Sequence, residues 1–305
     1  LTMEDQPRGK DAGWVTIAQQ TVEDTQWVKL VGQYAYSGEM DLLNLYFEST
    51  NPDDSFYLDD VYIKTYKEEE PEELIQIDLP ALKDIFADCF TIGAAVEPGQ
   101  LLQPEGEFLK KHFNLIVAEN VMKPDAIQPM EGAFTWRAAD TIARHAVTQN
   151  MQLRFHTLVW HSQISDWFFL DAQGKDMTLE TDPEKRQANK ELLLKRLENH
   201  ITRIINRYKD EVDYWEVVNE VIDPARPDGL RDSKWYQITG IDYIETAFRT
   251  ARRVAGPEAK LYINEFGTQH PARRSALYKL IKGLMDKGIQ IDGVGHQMHI
   301  NIEAP

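Results

Sequence analysis

An asparagine followed at once by a glutamate, Asn219-Glu220, lies near the end of the apolar run DYWEVVNEVI (213–222). A carboxyl beside an amide suits glycoside cleavage. The acid protonates a leaving oxygen, and the amide can hold a sugar 2-hydroxyl, a contact that strengthens as an oxocarbenium ion forms. Similar endings recur along the chain. FNLIVAENVM (113–122) contains Glu119 and Asn120 and runs into Lys123. MQLRFHTLVWHS (151–162) carries His156, Trp160 and His161, with Gln163 next. AKLYINEF (259–266) ends in Asn264 and Glu265, and DGVGHQMHI (292–300) carries His296, Gln297 and His299. Amides, imidazoles, a lysine and a flat indole suit a substrate rich in hydroxyl groups. A single polar residue at a strand end is more often a hydrogen-bonded structural group. Five such endings on one rim need another reason, because burying so many polar groups is costly.

These endings close short apolar runs, and longer helical patterns separate the runs. FTIGAAV (90–96) is a sixth strand candidate. The spacing predicts a helix from Glu184 to Lys209, with Leu193, Leu197, Ile201, Ile204 and Tyr208 on one face. Further helices are expected over 241–255, stopped by Gly256-Pro257, and over 272–286. Leu82, Ile85, Phe86 and Cys89 form a stripe on a first helix, which makes Cys89 a small buried residue. Strand–helix alternation implies an α/β fold with a parallel sheet. AAVEPGQ lacks the G-x-G-x-x-G turn of an open nucleotide-binding sheet. Chemistry at the C-terminal ends of strands is where a (β/α)8 TIM barrel builds its site. Six of the eight strands are visible in the sequence.

Residues 1–66 read differently. GWVTIAQQTV, QWVKLVGQYAY, LLNLYFES and DSFYLDDVYIKTY are β-branched and aromatic runs broken by Gly, Asn, Pro and Asp. They predict part of a β-sandwich. The acidic run inside 67–77 is expected to be a solvated linker, and 78–305 the barrel. The polar opening LTMEDQPRGKD is no signal peptide and does not resemble a natural start, so a cut chain is expected.

Composition narrows the partners. The 305 residues carry a formal net charge of −17. No basic stripe is available to neutralise phosphates, which argues against nucleic acid and against an anionic membrane surface. A neutral polymer is compatible with this charge. The 7 Trp, 12 Tyr and 12 Phe mark a globular chain. With a single cysteine, no disulfide can form within the chain.

HTLVWHSQ, WEVVNEVID, AENVMKP, LYINEF and GVGHQMHI resemble the successive strand ends of glycoside hydrolase family 10, the endo-β-1,4-xylanases. The resemblance runs from about residue 78 to the end. It implies a retaining enzyme on xylan, without a catalytic cofactor, acting outside the cell. By position Glu220 matches the general acid/base and Asn219 the residue that holds the 2-hydroxyl. Glu119, Asn120, Lys123, His156, Trp160 and Gln163 match glycone-side sugar contacts. Gln297 and His299 match the pair near the nucleophile. In the family the nucleophile ends strand seven, so it is expected to be absent from a chain that stops after strand six. Glu265 matches an acidic position that is not the nucleophile. Phe266-Gly267 stands where the family often has Tyr-Asn, which removes a hydroxyl and an amide on the leaving-group side.

The first 66 residues resemble the C-terminal half of a carbohydrate-binding module of family 22, or of the related families 4 and 9. Tyr46 and Glu48, two apart on a strand, share a face and could bind sugar. Asp59 or Asp60 could hold a structural calcium, as in similar modules. Two rivals stand beside the xylanase reading. One is another β-glycanase on the same barrel, separable by comparing hydrolysis of xylan and β-glucan. The other is a fragment that only binds polysaccharide.

Overall fold

The computed structural model describes residues 1–9, 12–21, 27–34, 40–49, 51, 55–63, 79–102 and 105–299. The chain divides into two compact units, Leu1–Glu72 and Glu73–Pro305. The linker expected at 67–77 and the residues after 299 lie outside the described residues.

In the first unit β1 (Thr2–Pro7), β2 (Gly13–Thr16) and β3 (Met40–Tyr46) form an antiparallel sheet in the order β2-β1-β3. Its central strand comes from the polar opening, which carries no β-branched run. The described parts of two expected runs hold no strand: residues 27–34 and 55–63 are irregular, with Trp27, Tyr57 and Tyr62 exposed. β-propensity expresses fit to a pleated, half-buried surface, and a segment without a neighbouring ladder gains nothing from it. Among the described residues there is one sheet here, and no second layer of a sandwich.

The second unit is built on a parallel sheet of six strands in strict chain order. These are β4 (Gly93–Val96), β5 (Leu115–Ala118), β6 (Gln152–Phe155), β7 (Tyr214–Asn219), β8 (Lys260–Phe266) and β9 (Gly293–Gln297). The helices α1 (Leu82–Ile85), α2 (Glu105–His112), α3 (Pro124–Ile127), α4 (Arg137–Thr148), α5 (Pro183–Tyr208), α6 (Lys234–Thr239), α7 (Asp242–Ala255) and α8 (Pro271–Asp286) precede or link them. Parallel crossovers share one hand, so an order that never reverses keeps the crossover helices on one face of the sheet. A doubly wound sheet would reverse. The result is the wall of a half-barrel.

The two faces of this wall differ in chemistry. Ile116, Leu153, Phe155, Trp215, Leu261 and Ile263 are fully buried in the apolar core. Arg154, His156, Glu216 and Asn264 occupy a polar network on the other side. α5 starts at Asp182, whose carboxylate accepts from the Lys185 amide, with Pro183 in its first turn. It buries Leu193, Leu197, Ile201, Ile204 and Tyr208, the stripe read from the sequence. α7 ends at Gly256, where φ is +90°.

Cys89 is exposed, contrary to expectation. α1 stops after one turn, so residue 89 falls in the following turn rather than on a continuing stripe. Ile85 remains 56% exposed, and Phe86 stacks on Phe90 at 5.1 Å. No helix among the described residues is long and apolar enough to cross a membrane.

One buried group makes this core sensitive to acid. His200 on α5 is 1% exposed and donates through Nδ1 to Gln128 Oε1 at 2.7 Å. Burial pushes its pKa from 6.5 down to about 3. The folded state therefore holds His200 neutral, while the unfolded chain protonates it below its ordinary pKa. Stability from this group is complete above that value and is lost as pH falls toward 3. Between pH 7 and pH 5 the loss is about 2 kcal/mol. Urea unfolding of the wild type and of His200→Gln at both values checks this: the variant should show a smaller drop, by roughly that amount.

Candidate active site

Glu220 follows β7 with φ at +57°, in the left-handed region. Its backbone amide donates to the Asn264 carbonyl at 2.9 Å. Its carboxylate lies between two strand ends. Oε2 accepts from the Trp160 indole at 3.1 Å, and Oε1 accepts from Gln297 Nε2 at 3.1 Å. A cavity of about 10 Å³ behind it is lined by Trp160, His161, Arg231, Ser233 and Tyr243 among others. There burial lowers the His161 pKa, helped by Arg231 and opposed by Glu220.

Asn219 is 1% exposed, and its orientation is determined by its neighbours. Its Oδ1 accepts from Asn264 Nδ2 at 2.8 Å and from Gln297 Nε2 at 2.9 Å. The Nδ2 group then turns toward Glu220, 3.4 Å from Oε1, as a donor available to a hydroxyl. His299 donates through Nε2 to Gln297 Oε1 at 3.0 Å, which fixes that amide in turn. His296 is exposed and bonds Thr268 Oγ1 through Nδ1 at 2.8 Å, outside this chain of contacts.

Lys123 is nearly buried and fully engaged. Its Nζ donates to Asn120 Oδ1 at 2.9 Å and to Gln163 Oε1 at 2.7 Å, and lies 5.2 Å from the Trp160 ring centroid. Asn120 Nδ2 donates to Glu97 Oε1 at 2.7 Å. A continuous set of contacts thus runs from the end of β4 to Glu220. Glu119 sits at the same rim, exposed, without a hydrogen bond from its carboxyl among the described residues.

Below the rim His156 Nδ1 meets Glu216 Oε2 at 2.8 Å, and Arg154 Nε donates to Glu216 Oε1 at 2.5 Å. Burial works to raise the Glu216 pKa, but the His156 hydrogen bond and charge, with Arg154, bring it below the ordinary value. Arg154 also stacks over Tyr262 at 4.9 Å. Glycines on β9 make room for these groups. A Cβ on Gly293 would lie 2.3 Å from the Tyr262 ring, and one on Gly295 would lie 2.1 Å from Asn264 Oδ1.

Glu265 is fully buried and turned away from this cleft, since neighbours on a strand face opposite sides. Its Oε2 accepts from the Ile222 amide at 2.9 Å. Its Oε1 accepts from the Phe266 amide and from Arg273 Nη1, both at 3.1 Å. Burial pushes its pKa up to about 7, against the Ile222 amide, Arg273, the Phe266 amide and Arg231.

In the first unit Tyr46 ends β3, and Glu48 lies two residues beyond the strand. The Tyr46 hydroxyl donates to Glu4 Oε2, as does Asn44 Nδ2 at 3.1 Å. Asp59 Oδ1 accepts from the Asp60 amide at 2.8 Å. Among the described residues no three His, Cys, Asp or Glu side chains gather as metal ligands.

Reading strand ends from sequence missed Glu97, which the same rule would have found at the end of β4. It also missed Glu216 and Arg154, which lie inside strands on the polar face, and Arg231 and Arg273, which lie off the sheet in no pattern.

Six parallel strands in chain order form a half-barrel wall, with a carboxyl, an ordered amide and an indole converging at their C-terminal ends. The family model of glycosyl hydrolase family 10 matches residues 81–305, and the chain belongs to that family. Over 225 residues it is 56% identical to endo-1,4-beta-xylanase A of Halalkalibacterium halodurans, covering 74% of this chain and 56% of that protein. It is 54% identical to a thermostable celloxylanase of Thermoclostridium stercorarium, covering 75% of this chain and 59% of that protein. The chain thus spans little more than half the length of these relatives. The crystal structure of xylanase B from Clostridium stercorarium superposes with a TM-score of 0.74 at 55% identity, covering 74% of this chain and 67% of that one. An intracellular xylanase of Thermoanaerobacterium saccharolyticum, solved with xylotriose, gives 0.68 at 42% identity, covering 75% and 70%.

The glycine at 295 tests the inner layer. A methyl group there displaces Asn264 and Arg154 Nη2, which lies 2.8 Å from its position. Gly295→Ala should lower stability by about 1–3 kcal/mol, the usual cost of overpacking. Denaturant unfolding beside the wild type measures it, and an unchanged midpoint would show that the layer relaxes freely.

Proposed function

We propose that Glu220 is the general acid/base of a retaining hydrolysis of internal β-1,4-xylosidic bonds. The observation that carries this is the setting of its carboxylate between the Trp160 and Gln297 donors, with Asn219 Nδ2 beside it. In the first step protonated Glu220 gives its proton to the glycosidic oxygen. The C1–O bond breaks, the nucleophile carboxylate bonds C1, and the shortened chain leaves as an alcohol. In the second step a water attacks C1, Glu220 takes the water's proton, and the bond to the nucleophile breaks. Asn219 Nδ2 holds the 2-hydroxyl, and Gln297 and His299 line the nucleophile's side. Chemistry of this class needs no cofactor.

The nucleophile belongs, on this reading, to a glutamate ending strand seven of a closed (β/α)8 barrel. Two observations support closure. Among the described residues β4 pairs only with β5 and β9 only with β8, and a barrel leaves no such edges. Leu82, Ile85 and Phe90 on the β4 side are exposed apolar groups of the kind a further unit would cover.

Glu119, Asn120, Lys123, His156, Trp160 and Gln163 form the glycone side. Lys123 crowding the Trp160 ring favours xylose over a sugar with a hydroxymethyl group. Polymeric xylan is found outside cells, which favours secretion, and the same site would take xylo-oligosaccharides wherever they occur. The first unit adds a polysaccharide-binding face. Trp14 and Asn44 both pair with Glu4, and Tyr46 pairs with Thr2, so rings, carboxylate and amide share one side of the sheet near Glu48.

Two measurements test this reading. Glu220→Ala in the full-length protein should lose about 10²–10⁴-fold in activity on xylan. Aryl glycosides with acidic phenols need little protonation and should keep a near-normal first step. Equal loss on both substrates would remove Glu220 from the acid role. Trp14→Ala with Tyr46→Ala should weaken retention on insoluble xylan about tenfold, as the loss of two stacking rings implies. Unchanged retention would leave the first unit without a binding face.

A further inference from the structure

The backbone at Glu220 is left-handed, a conformation that a residue other than glycine keeps only when its surroundings over-determine it. Those surroundings come from outside β7. Arg231 Nε donates to the Glu220 carbonyl at 2.6 Å. Two residues on, the Ile222 backbone is held at both ends. Glu265 Oε2 accepts from its amide at 2.9 Å, and Arg273 Nη1 donates to its carbonyl at 2.6 Å. The 3.1 Å contact of Arg273 Nη1 with Glu265 Oε1 closes the ring. Both guanidinium groups lie over the Phe266 ring, Arg273 at 4.1 Å and Arg231 at 5.8 Å from its centroid.

We propose that the Glu265–Arg273 pair is a positioning device for the acid/base, holding Ile222 so that Glu220 keeps its left-handed backbone and its carboxyl stays between Trp160 and Gln297. The inference rests on reading Glu220 as the acid/base. Three features favour it over a general structural brace. A carboxylate with no exposed surface is costly to bury, and its raised pKa reflects that cost. Both of its oxygens meet donors only, and two of these are the main-chain amides of Ile222 and Phe266. Arg273 approaches the same backbone from α8, so two separate elements converge on one residue next to the catalytic carboxyl. A carboxyl and a guanidinium serve this purpose because one must accept from N–H and the other donate to C=O. Glu265 and Arg273 act through Glu220 and touch no substrate.

The experiment compares Glu265→Gln, Arg273→Lys and Glu220→Ala with wild type in the full-length protein. The substrates are xylan and a series of aryl β-xylobiosides whose phenols span a range of acidity. Displacing the acid should cost roughly 10²-fold in kcat on xylan, the scale of a misplacement near 1 Å. KM should hold, and the 2,4-dinitrophenyl substrate should keep its first step. The two positioning variants would then show the leaving-group dependence of Glu220→Ala in weaker form. Equal loss on every substrate, or wild-type behaviour, would overturn the proposal. Should Glu220→Ala itself lack leaving-group dependence, the acid/base reading fails first. The crystal structures of Glu265→Gln and Arg273→Lys then decide the positioning claim without reference to activity. Glu220 leaving the +57° region would support it, and an unmoved Glu220 would overturn it. If one variant does not fold, the other carries the same test.

Discussion

The hydrogen bond from Asn264 Nδ2 to Asn219 Oδ1, 2.8 Å long between two buried amides, is the contact on which the site depends. It joins the ends of β7 and β8 in register, since Asn219 pairs with Asn264 in the sheet. It also assigns the amide. With Oδ1 occupied by Asn264 and Gln297, Asn219 can offer the cleft only its N–H₂ group. An amide free to turn would offer oxygen half the time, and a sugar hydroxyl would find no fixed donor. Both amides are buried from water, which strengthens the bond and makes its loss costly.

This arrangement needs a wall with two unlike faces. Sequential parallel strands put the crossover helices on one side, so apolar side chains gather there and supply the core. The other side is left to polar groups, which must satisfy one another. Glu216 does this for Arg154 and His156, while Gly293 and Gly295 give up side chains so that Tyr262 and Asn264 can fill the space. Stability and chemistry thus draw on different residues of the same strands.

Much of this was legible in the sequence because such strands announce themselves as short apolar runs with polar ends. β5 to β9 and the buried stripe of α5 follow from that pattern. Relations that depend on where a loop returns were not legible. Arg231 and Arg273 belong to no period, and only the fold brings them to Glu220 and Ile222. Glu265 could be set aside as a nucleophile by the order of motifs, but its two occupied oxygens are a three-dimensional fact. The first unit fared worst. Its central strand is polar, and the described residues of two aromatic runs that looked like strands lie in no ladder. Cys89 was misread because the stripe that should have buried it belongs to a helix of a single turn.

Trp160 touches two opposite charges. The Lys123 ammonium lies 5.2 Å from the centre of its ring, and the Glu220 carboxylate accepts from its indole nitrogen at 3.1 Å. An indole transfers electron density from its pyrrole to its benzene ring on excitation, so its emission colour follows the electric field along that axis. The ring therefore carries an optical record of the charge on Glu220. Protonation of that carboxyl, or arrival of a sugar between the two, would register as a change in this tryptophan's emission.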